Sequence, residues 1–257
     1  MAVAGIDVGS LTAEVVILEQ DKVLSAVIIP TGANSIKAAE KALQKTLDES
    51  GLNRSELEYI VATGYGRVSI DFADKRITEI TCHGRGAYFL DPSVRTVIDI
   101  GGQDSKVILM NGSGKVLDFA MNDKCAAGTG RFLEVMAQAL EVELKDLAEL
   151  SNQAKEAVSI SSMCTVFAES EVVSLIARGL PREDIACGLH QAIADRTAGL
   201  VRRVGLEEKV MITGGVAKNA AVVKALNEKL NIKLIIPQEP QVVGALGAAL
   251  LARDEIA

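Results

Sequence analysis

Two of the four cysteines stand where they could hold a metal or a cluster. Cys125 lies in a segment rich in Gly and Ala, directly before an amphipathic pattern in which Phe132, Met136 and Leu140 recur at helical spacing. Cys164 directly precedes a second helical pattern, 165–178. Both are therefore predicted at helix N-termini, where unpaired N–H groups and the helix dipole favour a thiolate, or an anionic cluster held by thiolates.

Two thiolates cannot by themselves complete a tetrahedral metal site or hold a four-iron cluster, which takes four cysteine ligands. The residues leave three alternatives open: no site, completion by His or carboxylate, or two further cysteines from a second copy of the chain. Cys82 and Cys187 lie inside helical patterns and are predicted to be core residues. His83 and His190 have no Ser or Asp partner pattern and are predicted to be packed or solvated rather than catalytic.

A second kind of chemistry comes from a carboxylate followed by glycines, which occurs twice. Asp7 and Asp99 each end a buried strand pattern, 92 positions apart (99 − 7), and Gly9 matches Gly101 at the same spacing. Glycines at a strand end let backbone N–H groups approach a phosphate closely, and carboxylates can hold its Mg²⁺ through water. One such loop would indicate only a turn. The duplication favours a pair of loops that clamp a polyphosphate.

The elements that must position these residues repeat as well. Strand patterns at 2–8, 12–18 and 22–29 are followed by a helix that Asn34 caps and Gly51 ends, then by a strand at 59–62 and a helical stretch at 77–90. The same order begins again at 94–100. A later strand, 209–212, leads through a Gly-Gly turn into a helix, and a further strand is predicted at 234–236. The sequence predicts a duplicated α/β fold with a nucleotide cleft, its first lobe formed by 1–93 with 242–257 and its second by 94–241.

Composition narrows the classes of function. An apolar fraction of 49 % and a charged fraction of 24 % are those of an ordinary globular protein. The net charge of −7 provides no attraction to nucleic acid or to an anionic membrane. No apolar run reaches the ~20 residues of a membrane span, and no signal peptide is evident, so a cytoplasmic location is predicted.

Six segments, taken together, point to a known family: residues 5–10, 62–67, 99–104, 122–132, 164–171 and 213–217. The chain resembles the ATP-dependent activators ("archerases") of 2-hydroxyacyl-CoA dehydratases, in the BadF/BadG/BcrA/BcrD-type activase ATPase family. The resemblance covers nearly the whole chain, and its specific parts are the two cysteine segments. It implies a duplicated actin-like ATPase fold and a homodimer whose two-fold axis carries one [4Fe–4S] cluster. The implied cluster ligands are Cys125 and Cys164 of each chain.

The resemblance also implies roles for the glycine loops. In the first loop, contact with the phosphates of ATP or ADP is implied for Gly9, Ser10, Leu11 and Thr12. In the second, placement of Mg²⁺ and of the attacking water is implied for Gly101, Gly102, Gln103 and Asp104, with Asp7 and Asp99 as further catalytic carboxylates. At the adenosine, the implied residues are Gly214, Gly215 and Lys218. One departure is Glu14, where relatives commonly have a lysine, so a phosphate-neutralising charge is missing.

The implied activity is one-electron activation of a partner enzyme. A reduced ferredoxin or flavodoxin would supply the electron, and ATP binding would close the cleft and swing the helices that carry the two cysteines. The partner would be an acyl-CoA dehydratase or reductase. The alternatives are an ATPase component of a benzoyl-CoA reductase-type enzyme, a small-molecule kinase of the same fold, and a non-catalytic protein switched by a nucleotide.

Overall fold

The computed structural model describes residues 1–161 and 164–256. Within these ranges the strands are β1 (Ala2–Val8), β2 (Thr12–Glu19), β3 (Lys22–Pro30), β4 (Leu57–Thr63), β5 (Lys75–Arg76), β6 (Thr96–Ile100), β7 (Ser105–Met110), β8 (Val116–Asn122) and β9 (Val210–Thr213). The helices are α1 (Ser35–Ser50), α2 (Glu79–Leu90), α3 (Gly130–Ala139), α4 (Leu147–Asn152), α5 (Thr165–Ala177), α6 (Arg182–Val204), α7 (Ala220–Leu230) and α8 (Val243–Glu255). The strands form two sheets, in the orders β3-β2-β1-β4-β5 and β8-β7-β6-β9.

The chain divides into two compact units. The first unit contains residues 1–97, 108–119 and 237–257, and the second contains 98–107 and 120–236. These units are defined by packing, whereas the lobes predicted from the sequence are defined by the repeat, so the lobe boundaries stay a prediction. No helix in the described part of the chain is long and apolar enough to cross a membrane.

In the first unit, β1 is buried along its whole length because helices cover both faces of its sheet. The face toward α1 receives the apolar stripe of that helix, and Asn34 caps its start by accepting a bond from the Lys37 N–H at 3.0 Å. The opposite face packs against α2 and α8. Glycines permit this close packing: a side chain on Gly5 would lie 2.0 Å from the Ala245 carbonyl, and one on Gly247 would lie 1.8 Å from the Cys82 carbonyl.

In the second unit, one large core joins the strands to α3–α7, and its aliphatic side chains include Ile98, Met136, Leu189 and Val222. Two predicted elements differ from the structure. The strand expected at 234–236 is reduced to one parallel bridge between Met211 and Ile235, because an edge segment of three residues makes too few ladder bonds to extend. The helix after Cys125 starts only at Gly130, since a turn with Gly128 at φ +85° precedes it.

Candidate functional site

The first carboxylate stands in a buried polar row across the first sheet. Asp7 is opposite Glu14 in the antiparallel β1–β2 ladder and opposite Thr63 in the parallel β1–β4 ladder. Cross-strand partners project to the same face, and all three residues are buried. His83 Nε2 lies 3.9 Å from Asp7 Oδ2. The prediction that His83 is packed is confirmed by its burial, but no local pattern indicated that it faces a site carboxylate.

The row leaves no room for side chains at two neighbouring glycines. A Cβ on Gly64 would lie 2.3 Å from Asp7 Oδ1, and one on Gly244 would lie 2.1 Å from Asp7 Oδ2. Gly64 also has φ +83°, which a glycine adopts without strain. The small residues at the start of α8 therefore serve both helix packing and the close approach of backbone to Asp7.

The first hairpin loop follows Asp7 directly. The Gly9 N–H donates to the Thr12 carbonyl at 2.9 Å, closing a tight turn around Ser10 and Leu11. Thr31 holds the loop from the next strand, since its hydroxyl donates to the Gly9 carbonyl and its N–H to the Leu11 carbonyl, both at 2.9 Å. The loop is half-buried. The predicted contacts of this loop with phosphate stay a prediction. The bonds from Gly9 and Thr31 hold the loop backbone in place.

The second carboxylate lies in an equivalent row of the second unit. Asp99 Oδ1 accepts a bond from the Thr213 hydroxyl at 2.9 Å, and Asp99 Oδ2 lies 3.0 Å from the Lys106 ammonium. The same ammonium lies 2.7 Å from Asp104 Oδ2. Lys106 is only 2 % exposed. A single buried ammonium thus pairs with two of the predicted site carboxylates, and each oxygen of Asp99 has a bonded neighbour.

The second hairpin loop repeats the first. The Gly101 N–H donates to the Asp104 carbonyl at 3.0 Å, which matches the Gly9–Thr12 bond at the spacing of 92 (101 − 9; 104 − 12). Gln103 is exposed at the loop tip and Asp104 is partly exposed, so a ligand can reach both side chains. Glu14 and Lys106 are related by the same spacing (106 − 14), so the two rows carry opposite charges at one equivalent position. Lys106 is not among the residues predicted from the sequence, although the 92-residue spacing that relates it to Glu14 points to it.

The third glycine turn lies against the second carboxylate strand. Gly214 has φ +83°, and a Cβ there would lie 2.3 Å from the Ile100 carbonyl and 2.9 Å from Asp99 Oδ1. Gly215 and Lys218 are exposed on the short turn that follows. The structure thus brings Gly214 to the Asp99 row and leaves the other two facing solvent. Their predicted contact with adenosine stays a prediction.

Cys125 is half-buried in the loop between β8 and α3. Its carbonyl accepts a bond from Asn122 Nδ2 at 2.8 Å. The expectation that Cys125 lies at the α3 N-terminus is wrong, because that helix starts five residues later and its first N–H groups are bonded elsewhere. The Gly130 and Arg131 N–H groups donate to the Gly101 and Gly102 carbonyls at 2.9 and 2.8 Å.

Cys164 occupies the N-cap position of α5, as predicted. The loop before it is tied to that helix, because Glu171 Oε1 accepts bonds from the Ser161 N–H at 2.9 Å and the Ser161 hydroxyl at 2.8 Å. Ser162 and Met163, directly before Cys164, lie outside the described residues. The helices that follow the two cysteines, α3 and α5, pack against each other.

The candidate ligands for a [4Fe–4S] cluster are two cysteine thiols. Cys125 and Cys164 are both partly exposed, free thiols. Among the residues that the structure describes, no group of three or more His, Cys, Asp or Glu side chains is placed to hold a metal ion. One chain therefore offers two thiolates of the four that the cluster takes. The residues fit a cluster shared between two equivalent chains.

Burial sets the protonation state of two other titratable groups. Burial raises the pKa of Cys82 to about 12, so its thiol stays protonated at neutral pH. Burial lowers the pKa of His190 to about 4, so its imidazole stays neutral. The prediction that Cys82 is a core residue is confirmed. The same prediction for Cys187 is wrong, because Cys187 lies on a side of α6 that is only half-buried.

Comparison with known proteins places this geometry in context. A model of the BadF/BadG/BcrA/BcrD ATPase family matches residues 4–252. The chain is 51 % identical, over 99 % of its length and 98 % of the relative's, to the activator of lactoyl-CoA dehydratase from Anaerotignum propionicum. It is 36 % identical, over 83 % of its length and 78 % of the relative's, to a benzoyl-CoA reductase subunit from Thauera aromatica.

Two solved structures are similar over almost the whole chain. The activator of the 2-hydroxyisocaproyl-CoA dehydratase from Clostridium difficile, with bound ADPNP, has a TM-score of 0.93 and 45 % identity, covering 99 % of this chain and 95 % of that one. Component A of the Acidaminococcus fermentans (R)-2-hydroxyglutaryl-CoA dehydratase has a TM-score of 0.95 and 44 % identity, covering 99 % and 98 %. A ROK hexokinase from Thermus thermophilus, at 18 % identity and a TM-score of 0.56 over 100 % of both chains, shares the fold alone. The predicted duplicated actin-like α/β fold is confirmed.

Proposed function

The chain belongs to the BadF/BadG/BcrA/BcrD ATPase family, and from that premise we propose that it activates a 2-hydroxyacyl-CoA dehydratase by ATP-driven transfer of one electron. The observation that carries the proposal is its 51 % identity, along nearly its whole length, to the activator of such a dehydratase. The two half-buried cysteines that precede the neighbouring helices α3 and α5 support it, because an activator needs a redox group near its surface.

A [4Fe–4S] cluster, when bound, stores and releases the single electron that the partner enzyme receives. Cys125 and Cys164 would hold it as thiolates, together with the same two residues of a second copy of this chain in a homodimer. Their segments are fixed by bonds of this chain: Asn122 holds the Cys125 carbonyl, and Glu171 holds Ser161 ahead of Cys164. A reduced ferredoxin or flavodoxin would serve as the electron donor.

ATP hydrolysis would use the two hairpin loops. Backbone N–H groups of the 9–12 loop would bind phosphate, and the 101–104 loop would hold Mg²⁺ through Asp104 while Gln103 orients the attacking water. Lys106 keeps Asp99 and Asp104 in one ionic arrangement. The exposed Gly215 and Lys218 would border the adenosine. Glu14 in the first row removes one positive charge, so this loop would rely on backbone donors alone.

The proposal is tested by purification without oxygen, followed by iron, sulfide and ATPase assays. We expect about four iron and four sulfide per two chains, and ATP hydrolysis without any phosphoryl acceptor. Cys125→Ser and Cys164→Ser should each abolish the cluster and electron transfer while retaining some ATPase. Cys187→Ser, at another half-buried thiol of the same unit, is the matched control and should keep the cluster.

Two outcomes would refute parts of the proposal. An iron-free, colourless protein that hydrolyses ATP would remove the redox role. Phosphoryl transfer to a sugar or acyl acceptor would instead indicate a kinase. A role as an ATPase component of a benzoyl-CoA reductase-type enzyme is the second candidate, favoured by the 36 % identity to the Thauera aromatica reductase subunit. Activation assays with each partner enzyme distinguish the two.

A further inference from the structure

The start of α3 is bonded to the second hairpin loop. The first N–H groups of an α-helix have no partner within the helix. Here the first two donate to the hairpin: Gly130 to the Gly101 carbonyl at 2.9 Å and Arg131 to the Gly102 carbonyl at 2.8 Å. Gly130 also lacks a Cβ that would otherwise lie 3.3 Å from the Gly101 oxygen. The hairpin therefore supplies acceptors for the first two N–H groups of α3.

Thr129 adds a bond that can take two forms. Its side chain is fully buried, and its hydroxyl lies 3.0 Å from the Gly102 carbonyl and 2.5 Å from the Ala126 carbonyl. A hydroxyl carries one proton and donates fully to one acceptor at a time. Neither carbonyl is left unsatisfied by the choice, because Gly102 also accepts from the Arg131 N–H and Ala126 from the Thr129 N–H. The exchange between the two bonds is therefore inexpensive.

The Ala126 end of this pair adjoins Cys125. The Cys125 carbonyl is bonded to Asn122 at the end of β8, and the next carbonyl, that of Ala126, is bonded to Thr129. Cys125 thus lies between two hydrogen-bonded points. Its own carbonyl is held by Asn122, and the Ala126 carbonyl is held by Thr129, whose hydroxyl also contacts Gly102 of the hairpin. All of these contacts lie within the second unit.

We propose that Thr129 is a positioning residue that couples the 101–104 hairpin to Cys125. A shift of the hairpin on binding of a nucleoside triphosphate changes the distance from the Thr129 hydroxyl to the Gly102 carbonyl, and so changes how the hydroxyl divides its bonding between Gly102 and the closer Ala126 carbonyl. The hold on the Cys125 segment changes with it. The inference rests on the proposed function, which assigns a nucleotide to the hairpin and a cluster to Cys125.

The test measures Cys125 directly, in the full-length chain prepared anaerobically without iron. Alkylation by iodoacetamide is followed at each cysteine by peptide mass spectrometry, in Mg·ADP and in Mg·ADPNP. We expect the two nucleotides to change the Cys125 rate by about fivefold or more, the lower range of typical coupling. Thr129→Val, which keeps the shape and removes the hydroxyl, should reduce this difference to below about twofold.

The controls separate coupling from general loosening. Thr129→Ser restores the hydroxyl and should restore the nucleotide effect. Thr197→Val removes another buried hydroxyl of the same unit, one that bonds the Ile193 carbonyl at 3.0 Å, and should leave the effect unchanged. The affinity of Thr129→Val for Mg·ADPNP, measured by calorimetry, should stay within about threefold of the wild type, because the hydroxyl is buried and its bonds go to backbone carbonyls of this chain.

A wild-type Cys125 rate that is the same in both nucleotides would overturn the inference, as would a nucleotide effect that survives in Thr129→Val. The iron count tests the proposed function separately. A chain that shows the coupling but never binds iron would retain this inference and lose the redox role. A chain that binds iron without the coupling would do the reverse.

Discussion

Lys106 is the residue whose removal should reveal most about how the second hairpin is built. Its ammonium lies 3.0 Å from Asp99 Oδ2 and 2.7 Å from Asp104 Oδ2, and only 2 % of its side chain is exposed. Lys106→Met retains the aliphatic volume and leaves two carboxylates without their counter-ion. Removal of one partner from a buried ion pair costs about 3–5 kcal/mol. For a chain of this size that corresponds to a fall of about 10 °C in the melting midpoint.

The measurement is thermal and urea unfolding at pH 7.5, compared with two further variants. Lys75→Met breaks a surface ion pair with Glu255, at side-chain exposures of 46 % and 38 %, and should cost less than about 1 kcal/mol. The double variant Lys106→Met/Asp99→Asn should recover part of the loss, since one uncompensated charge is gone while the Thr213 hydroxyl keeps an acceptor.

The reasoning fails if Lys106→Met is no less stable than Lys75→Met. It also fails if the double variant is less stable than Lys106→Met, because the pair would then contribute through something other than charge compensation. A normal stability accompanied by a lost ATPase would place Lys106 at the ligand instead of beneath it.

Three further predictions concern other parts of the chain. Glu14→Lys places a lysine in the first row at the position equivalent to Lys106. It should tighten Mg·ADPNP binding, measured by calorimetry, about tenfold, which corresponds to about 1.4 kcal/mol. Weaker binding would contradict the equivalence of the rows. The pKa of His190 is about 4 when folded and near 6.5 when unfolded, so stability is complete above pH 6.5 and falls as pH drops toward 4, by about 2 kcal/mol between pH 7.5 and 5. In His190→Gln the free energy of unfolding should depend less on pH, as measured by urea titrations at pH 7.5 and 5. An unchanged pH dependence in this variant would show that the burial of His190 is not its cause. Glu171→Gln should weaken the bonds to Ser161 and raise the alkylation rate of Cys164 about fivefold, as expected for a weakened charge-assisted bond. Glu169→Gln, at an exposed position of the same helix, should leave that rate unchanged. Equal Cys164 rates in the two variants would refute the tether.

Much of the architecture followed from local rules. The cap at Asn34, the stop at Gly51 and the alternation from strand to glycine loop are short-range signals, and the structure has α1, β1 and the hairpin loops where the sequence predicts them. The predicted ends of helices and strands differ from the observed ones by a few residues, because fraying and capping depend on neighbours that are distant in sequence. The start of α3 is one example: a hairpin about thirty residues earlier supplies its cap.

Residue type and spacing were enough to indicate the family and the duplicated plan, since these properties belong to the sequence whatever the packing. Exposure does not: Cys187, predicted to be core, is half-buried like Cys125 and Cys164. Which charges meet depends on the fold. Lys106, Asp99, Asp104 and Thr213 are brought together by strand order, and Thr129 reaches Gly102 because α3 begins at the hairpin. Burial then sets the consequence: in a low-dielectric interior the energy of a charge depends on its partners, and those partners come from distant parts of the chain rather than from its neighbours in sequence.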